Sequence, residues 1–234
     1  MPLWAGNKKL WKLWRWEMVI VPKKLQHFFA INSHIFIRTI VLLLTLSFFT
    51  ASSARMGSQT LAINTILLQF FMFFTYFIDG FANAAEALVG KYIGAFKSPQ
   101  DLKKLIRTLF LWAFGLSIPF AIGYLFFGEY IIILLTDIPS IMQGAKSYFI
   151  WIGLMPLLSF AAFIWDGVFI GATKTSAMRN SMLVSSFLIF FPLYFIFQPI
   201  WGNHGLWLAF NAFLLSRGLF LHVQAKKQLF NHSN

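Results

Sequence analysis

The 234 residues predict an all-α membrane protein with six transmembrane helices. Three features of the sequence lead there. Hydrophobic residues make up 59% of the chain and charged residues 11%, against about 25% charged in soluble domains, and the mean hydropathy is +0.71. Thirty Phe and nine Trp are spread over the whole length, more apolar aromatic surface than a soluble or disordered chain keeps in water without aggregating. The apolar runs continue for roughly twenty residues or more, whereas outer-membrane strands alternate over about ten. Ordinary soluble enzymes, disordered chains and outer-membrane barrels are thereby excluded. With no Cys, neither a disulfide framework nor a thiolate metal site can form.

Residues 1–34 differ in composition from the rest. Trp4, Trp11, Trp14 and Met18 fall at helical spacing on one face, with Lys8, Lys9, Lys12 and Arg15 between them. This pattern fits an amphipathic helix on an anionic cytoplasmic leaflet, or a linker between lobes of a longer protein. Val19-Ile20-Val21 is too short for a signal-peptide core, and Pro22-Lys23-Lys24 follows it. A transmembrane bundle is expected over 35–224, built from apolar stretches at 35–56, 61–90, 105–135, 145–171, 180–200 and 203–224. At 1.5 Å per residue each crosses a core of roughly 30 Å. Turn chemistry separates them at Met56-Gly57-Ser58-Gln59, Lys97-Ser98-Pro99-Gln100-Asp101, Thr136-Asp137-Ile138-Pro139-Ser140, Gly171-Ala172-Thr173-Lys174 and Gln198-Pro199 through Gly202-Asn203. Residues 225–234 form a cytoplasmic tail.

The 19 Lys and Arg residues set the orientation. With Arg38, at the start of the first span, counted together with the N-terminal flank, and Arg217 with the C-terminal flank, 17 fall in alternate segments, and only Arg55 and Lys146 fall in the others. The positive-inside rule then puts both termini in the cytoplasm and requires an even number of spans. The net charge of +12 is explained as an orientation signal, with membrane lipid as the partner and no need for nucleic acid.

Three acidic residues, Asp79, Glu86 and Asp166, lie within spans. A carboxylate there costs about 2.5–3.5 kcal/mol on insertion scales, which makes such residues functional candidates. Gln69, Met72, Tyr76, Asp79, Asn83 and Glu86 share one face of the second span, while Phe70, Phe71, Phe73, Phe74 and Phe77 fill much of the rest. Lipid cannot hydrogen-bond such a stripe, so it must face protein or water. The fourth span carries a thinner one: Ser159, Asp166 and Thr173. Both aspartates sit in similar frames, Phe77-Ile78-Asp79-Gly80-Phe81 and Ile164-Trp165-Asp166-Gly167-Val168. Two carboxylates at comparable depth can hold a proton or bind a cation; equally, each Asp-Gly can mark a bend, or an ion pair with Arg55, Arg179 or Lys91. Gly80, Gly90, Gly94, Gly153, Gly167 and Gly171 read as packing or hinge positions.

No Walker A, Rossmann or H-E-x-x-H motif is present, and the five His residues have no ligand spacing. Thr50-Ala51-Ser52-Ser53-Ala54 lacks a nucleophile elbow and fits close helix approach instead. The chain is therefore not expected to be an enzyme.

The run Leu61-Ala62-Ile63-Asn64, followed by Asp79-Gly80-Phe81-Ala82-Asn83-Ala84-Ala85-Glu86-Ala87-Leu88-Val89-Gly90 and closed by Gly94-Ala95, resembles the multidrug and toxic compound extrusion (MATE) family, in particular its DNA-damage-inducible subgroup. Asp166-Gly167-Val168-Phe169-Ile170-Gly171-Ala172-Thr173, Met178-Arg179-Asn180 and Gly202-Asn203-His204-Gly205-Leu206-Trp207-Leu208-Ala209 fit the same subgroup, so the resemblance runs from about residue 34 to the end. It implies a secondary antiporter of the inner (plasma) membrane that expels toxic organic cations. Proton or sodium would be the coupling ion, and no cofactor is implied. Members of that family have twelve spans in two six-helix lobes around a central cavity, and this chain resembles the C-terminal lobe alone. The N-terminal lobe, with the family's proton-coupling aspartate, has no counterpart, so a separate N-terminal half or a second copy would be needed to enclose a cavity. The alternative is a truncated, non-transporting membrane module or assembly partner. In a transporting assembly Asp79 and Asp166 would be the exchangeable carboxylates, with Glu86, Tyr76, Asn83 and Gln69 lining the polar face. An inter-lobe face would show as a polar stripe left uncovered in the folded chain. A lipid-linked oligosaccharide flippase of related architecture would need a cationic cavity, against which the scarcity of intramembrane Arg and Lys argues.

Overall fold

The computed structural model describes residues 22–95 and 98–230. The Trp-rich stretch up to residue 21 and the last four residues of the tail lie outside that description. Among the described residues the chain is helical throughout: α1 (Pro22–Arg55), α2 (Ser58–Gly94), α3 (Pro99–Leu135), α4 (Pro139–Lys146), α5 (Phe149–Gly171), α6 (Ser176–Val184), a π-helical stretch Ser185–Phe190, α7 (Phe191–Trp201), α8 (Asn203–Ala225) and a second π-helical stretch Lys226–Phe230. Counting α6, the first π stretch and α7 as a single rod, six helices are long and apolar enough to cross a membrane.

Helix ends follow local chemistry more closely than hydropathy does. Ser98 caps α3, its Oγ accepting from the Asp101 N–H at 3.3 Å, and Pro99 opens the helix. The helix therefore begins six residues before the apolar stretch at 105. In the same way α2 ends at Gly94, beyond its apolar stretch, and α1 is already helical at Pro22. The eight-residue α4 also starts on a proline, and it folds between the third and fourth spans, where only a break was expected. Pro119, Pro156 and Pro199 lie inside helices. The first π-helical stretch ends just before Pro192. A proline there lacks the N–H and crowds the carbonyl four residues back, which a widened π turn relieves.

Two ends of the bundle can be told apart by their cations. At the basic end Lys174 donates to the Gln228 carbonyl, Thr175 Oγ1 donates to the Ile31 carbonyl at 3.4 Å, and Lys103 Nζ stands over the Phe230 ring. At the opposite end Gln59 Nε2 donates to the Ser140 carbonyl at 3.3 Å and Trp151 Nε1 to His204 Nδ1 at 3.0 Å.

Helix α5 is the axis of the bundle and packs on α2, α3 and α8. Its glycines permit this. A Cβ on Gly167 would overlap the Ala82 carbonyl, and one on Gly171 would overlap that of Glu86, so α2 and α5 cross backbone to backbone. Gly90 lies at ordinary contact distance from Gly171, while Gly153 meets Leu125 of α3. Gly80 and Gly94 face open space and serve no packing contact. Interlocked rings fill the core between α1, α2 and α8: Phe49 meets Trp207 at 4.9 Å and Phe71 meets Phe210 at 5.4 Å between centroids, both edge-on.

A buried amide ties the same helices together near the opposite end. Asn64 Nδ2 donates to Ser53 Oγ and Asn203 Oδ1, each at 2.7 Å, while its Oδ1 accepts from Asn203 Nδ2 and Trp207 Nε1, each at 2.9 Å. In a membrane interior such a satisfied cluster holds helices in register.

Candidate functional site

The polar stripe of α2 points away from the bundle. Phe70, Phe71, Phe74 and Ile78 are buried, whereas Gln69, Met72, Tyr76, Asp79 and Asn83 are exposed and Glu86 is half-buried. Tyr76 is 76% exposed. Among the described residues no side-chain hydrogen bond or ion pair engages Gln69, Tyr76, Asp79, Asn83 or Glu86. A helix of this length and apolarity thus offers an uncovered row of polar groups on the side opposite its packed face. Beside it a groove of about 450 Å³ runs between α2 and α3, walled by Phe70, Phe73, Tyr76 and Tyr124, with Gln69 and Met72 at its edge.

Asp166 has the opposite environment. It lies on α5, its side chain 8% exposed, and its Oδ2 accepts from Arg217 Nη2 of α8 at 2.8 Å and from Arg38 Nη2 of α1. Arg217 is 2% exposed and also stands over the rings of Phe163 and Phe213, 5.9 and 5.5 Å from their centroids. Arg38 is 18% exposed. The triad carries one net positive charge, and Asp79 lies within electrostatic range of all three members. With Asp79 ionised the four groups sum to zero.

Arg38 and Arg217 lie within the expected apolar stretches 35–56 and 203–224. Both belong inside spans, and each side chain turns inward because Asp166 offers a partner there. This corrects the counting of Arg217 with the C-terminal flank and removes the scarcity of intramembrane cations as an argument. The signal was present in the sequence: Arg217 sits eight residues before the end of α8 and Arg38 follows Ile35-Phe36-Ile37. None of Arg55, Lys91 and Arg179 pairs with an aspartate among the described residues; Arg179 donates instead to Asn180 Oδ1.

The structure brings Asp79 and Asp166 to neighbouring positions on α2 and α5, one exposed and one enclosed, despite their similar frames. Glu86 is seven residues further toward the basic end, about 10 Å of helix rise from Asp79. Gln69, Tyr76 and Asn83 line the same face. Of the thinner stripe on α5, Ser159 is buried and bonded to the Met155 carbonyl, and Thr173 is exposed in the turn after the helix. Only Asp166 of those three joins the cluster.

Comparison with known proteins agrees with this architecture. The MatE family model matches residues 34–196, which include Arg38, the α2 stripe and Asp166. DNA damage-inducible protein F of Escherichia coli (strain K12) is 38% identical over 192 residues, covering 82% of this chain and 41% of that protein. The uncharacterized transporter YisQ of Bacillus subtilis (strain 168) is 24% identical over 179 residues, covering 75% of this chain and 39% of that protein. The chain thus spans about two fifths of the length of the curated relatives it matches. With 163 of its residues inside the family model and, among the described residues, six helices long and apolar enough to cross a membrane, the chain belongs to the MatE family, whose members are multi-pass membrane transporters, in bacteria of the inner membrane, rather than enzymes.

Proposed function

We propose that the chain is one six-helix lobe of an efflux antiporter that exchanges toxic organic cations for protons or sodium, with both termini and the basic end in the cytoplasm. The observation that carries this is the uncovered α2 face with Tyr76, Asp79 and Asn83, together with family membership. Polar side chains do not face lipid tails, so a second bundle must cover them across a wet cleft. An N-terminal half or a second copy of this chain would supply it.

Charge arithmetic gives the exchange its logic. A proton on Asp79 and a monovalent cation beside it each leave the four-group cluster with the same net charge of one, so either can replace the other, but both together are disfavoured. Asp79 has no hydrogen-bonded competitor for either ligand. At Asp166 a proton or cation competes with Arg38 and Arg217, so its part is to position those charges next to Asp79. Gln69, Tyr76 and Asn83 supply hydrogen bonds along the cleft, and the aromatic groove between α2 and α3 receives apolar rings of the substrate. Glu86 would be the next carboxylate on the way to the cytoplasm. No cofactor takes part.

The test is extrusion of ethidium from vesicles under an imposed proton or sodium gradient, with the chain alone and with a co-reconstituted N-terminal half. Gradient-driven extrusion in either arrangement, lost in Asp79→Asn, is expected. Extrusion in neither arrangement would favour a non-transporting module, and unchanged extrusion in Asp79→Asn would remove Asp79 from the exchange.

A further inference from the structure

One exposed face of α3 changes sharply from cationic to apolar. Lys103 and Arg107 stand one turn apart, and the exposed residues continuing that face are Leu111, Phe114, Ile118 and Ile122. Their spacings of three and four residues keep them on one side of the helix. From Leu111 to Ile118 the rise is about 10 Å, most of the hydrocarbon depth of one leaflet. Lys104 is exposed beside Lys103.

The C-terminal π-helical stretch supplies the second half of the feature. Phe230 lies beneath Lys103, its ring centroid 5.2 Å from Nζ, and Lys226 and Lys227 of the same stretch are exposed. Among the described residues none of these five cations belongs to an ion pair. The neighbouring Asp101 is engaged in the α3 cap, accepting from Ser98 Oγ at 3.0 Å.

We infer that this corner is a binding site for an anionic glycerophospholipid. The headgroup phosphate rests on Lys103 and Arg107, and an acyl chain lies along Leu111, Phe114 and Ile118. A lipid joins an anionic head to an apolar tail at a fixed depth, and this face repeats that sequence of chemistries in the same order. Orientation by the positive-inside rule requires only cations at one end; the uninterrupted apolar track below two of them, with a second basic segment seated beside it, goes further. The site is independent of transport and of which bundle covers α2.

Native mass spectrometry of the purified full chain tests it, with phosphatidylglycerol and phosphatidylcholine of identical acyl chains as probes. Phosphatidylglycerol is expected to be retained roughly tenfold or more over phosphatidylcholine. The ratio should fall to near one in Lys103→Gln/Arg107→Gln and be kept in Arg55→Gln/Lys146→Gln at the opposite end. Raised salt should weaken retention of the anionic lipid alone, which checks the site without any variant. Excess inorganic phosphate should leave the lipid in place, because phosphate lacks the apolar contacts. Equal retention of the two lipids, an unchanged ratio in Lys103→Gln/Arg107→Gln, an equal fall in the opposite-end variant, no salt effect, or full displacement by phosphate would each overturn the assignment.

Discussion

Arg217 Nη2 donates to Asp166 Oδ2 at 2.8 Å inside the bundle, and neither side chain has more than 8% of its surface exposed. The pair joins α5 to α8, and Arg38 extends the junction to α1. Charges this deep persist because each offers the other what water would.

Removing one partner should therefore cost more than removing two. Asp166→Leu leaves two guanidiniums side by side, one of them sealed, and is expected to destabilise the fold by about 3–5 kcal/mol. Asp166→Leu/Arg217→Met should recover most of that, since Arg38 can extend toward the surface. Denaturant unfolding in detergent decides it; a double variant as unstable as the single one would contradict the account.

The α2–α5 crossing makes a sharper steric prediction. Gly167→Ala and Gly171→Ala push a methyl into the carbonyls of Ala82 and Glu86 and should cost about 1–3 kcal/mol or more. Gly80→Ala meets open space and should be tolerated. Melting temperatures of the three variants test the contrast, and equal shifts would sink it.

Asn64 should behave as the hub of its cluster. Asn64→Leu strands Asn203 and the Trp207 indole N–H and should cost about 1–3 kcal/mol. Combined with Asn203→Leu the losses should not add, with a coupling of roughly 0.5 kcal/mol or more. Strict additivity in a double-mutant cycle would show that the amides act separately.

How legible the molecule was in its sequence depended on the range of the interaction. The six spans could be read because each is a continuous apolar run, and the α2 stripe because Gln69, Tyr76, Asp79 and Asn83 repeat at helical period. Caps and prolines then lengthened the helices past those runs, as Ser98 and Pro99 do for α3. The triad left no local pattern, since Arg38 and Arg217 lie 128 and 51 residues from Asp166. Counting Arg217 with the C-terminal flank hid its depth. The matching Asp-Gly frames pointed to matched roles, but packing decides: Gly167 is pressed against α2 and its aspartate enclosed, while Gly80 and its aspartate face outward.

The most direct test of the central claim is water access along α2. The chain has no Cys, so single cysteines at Tyr76, Asp79 and Asn83 can be compared with ones at the exposed apolar positions Leu111 and Phe126 of α3. In membranes containing the assembled transporter, a water-soluble maleimide should label the α2 positions and spare the α3 pair, and a bound organic cation should slow labelling at Tyr76→Cys. Labelling of neither set, or of both alike, would mean that the α2 face lines no cleft.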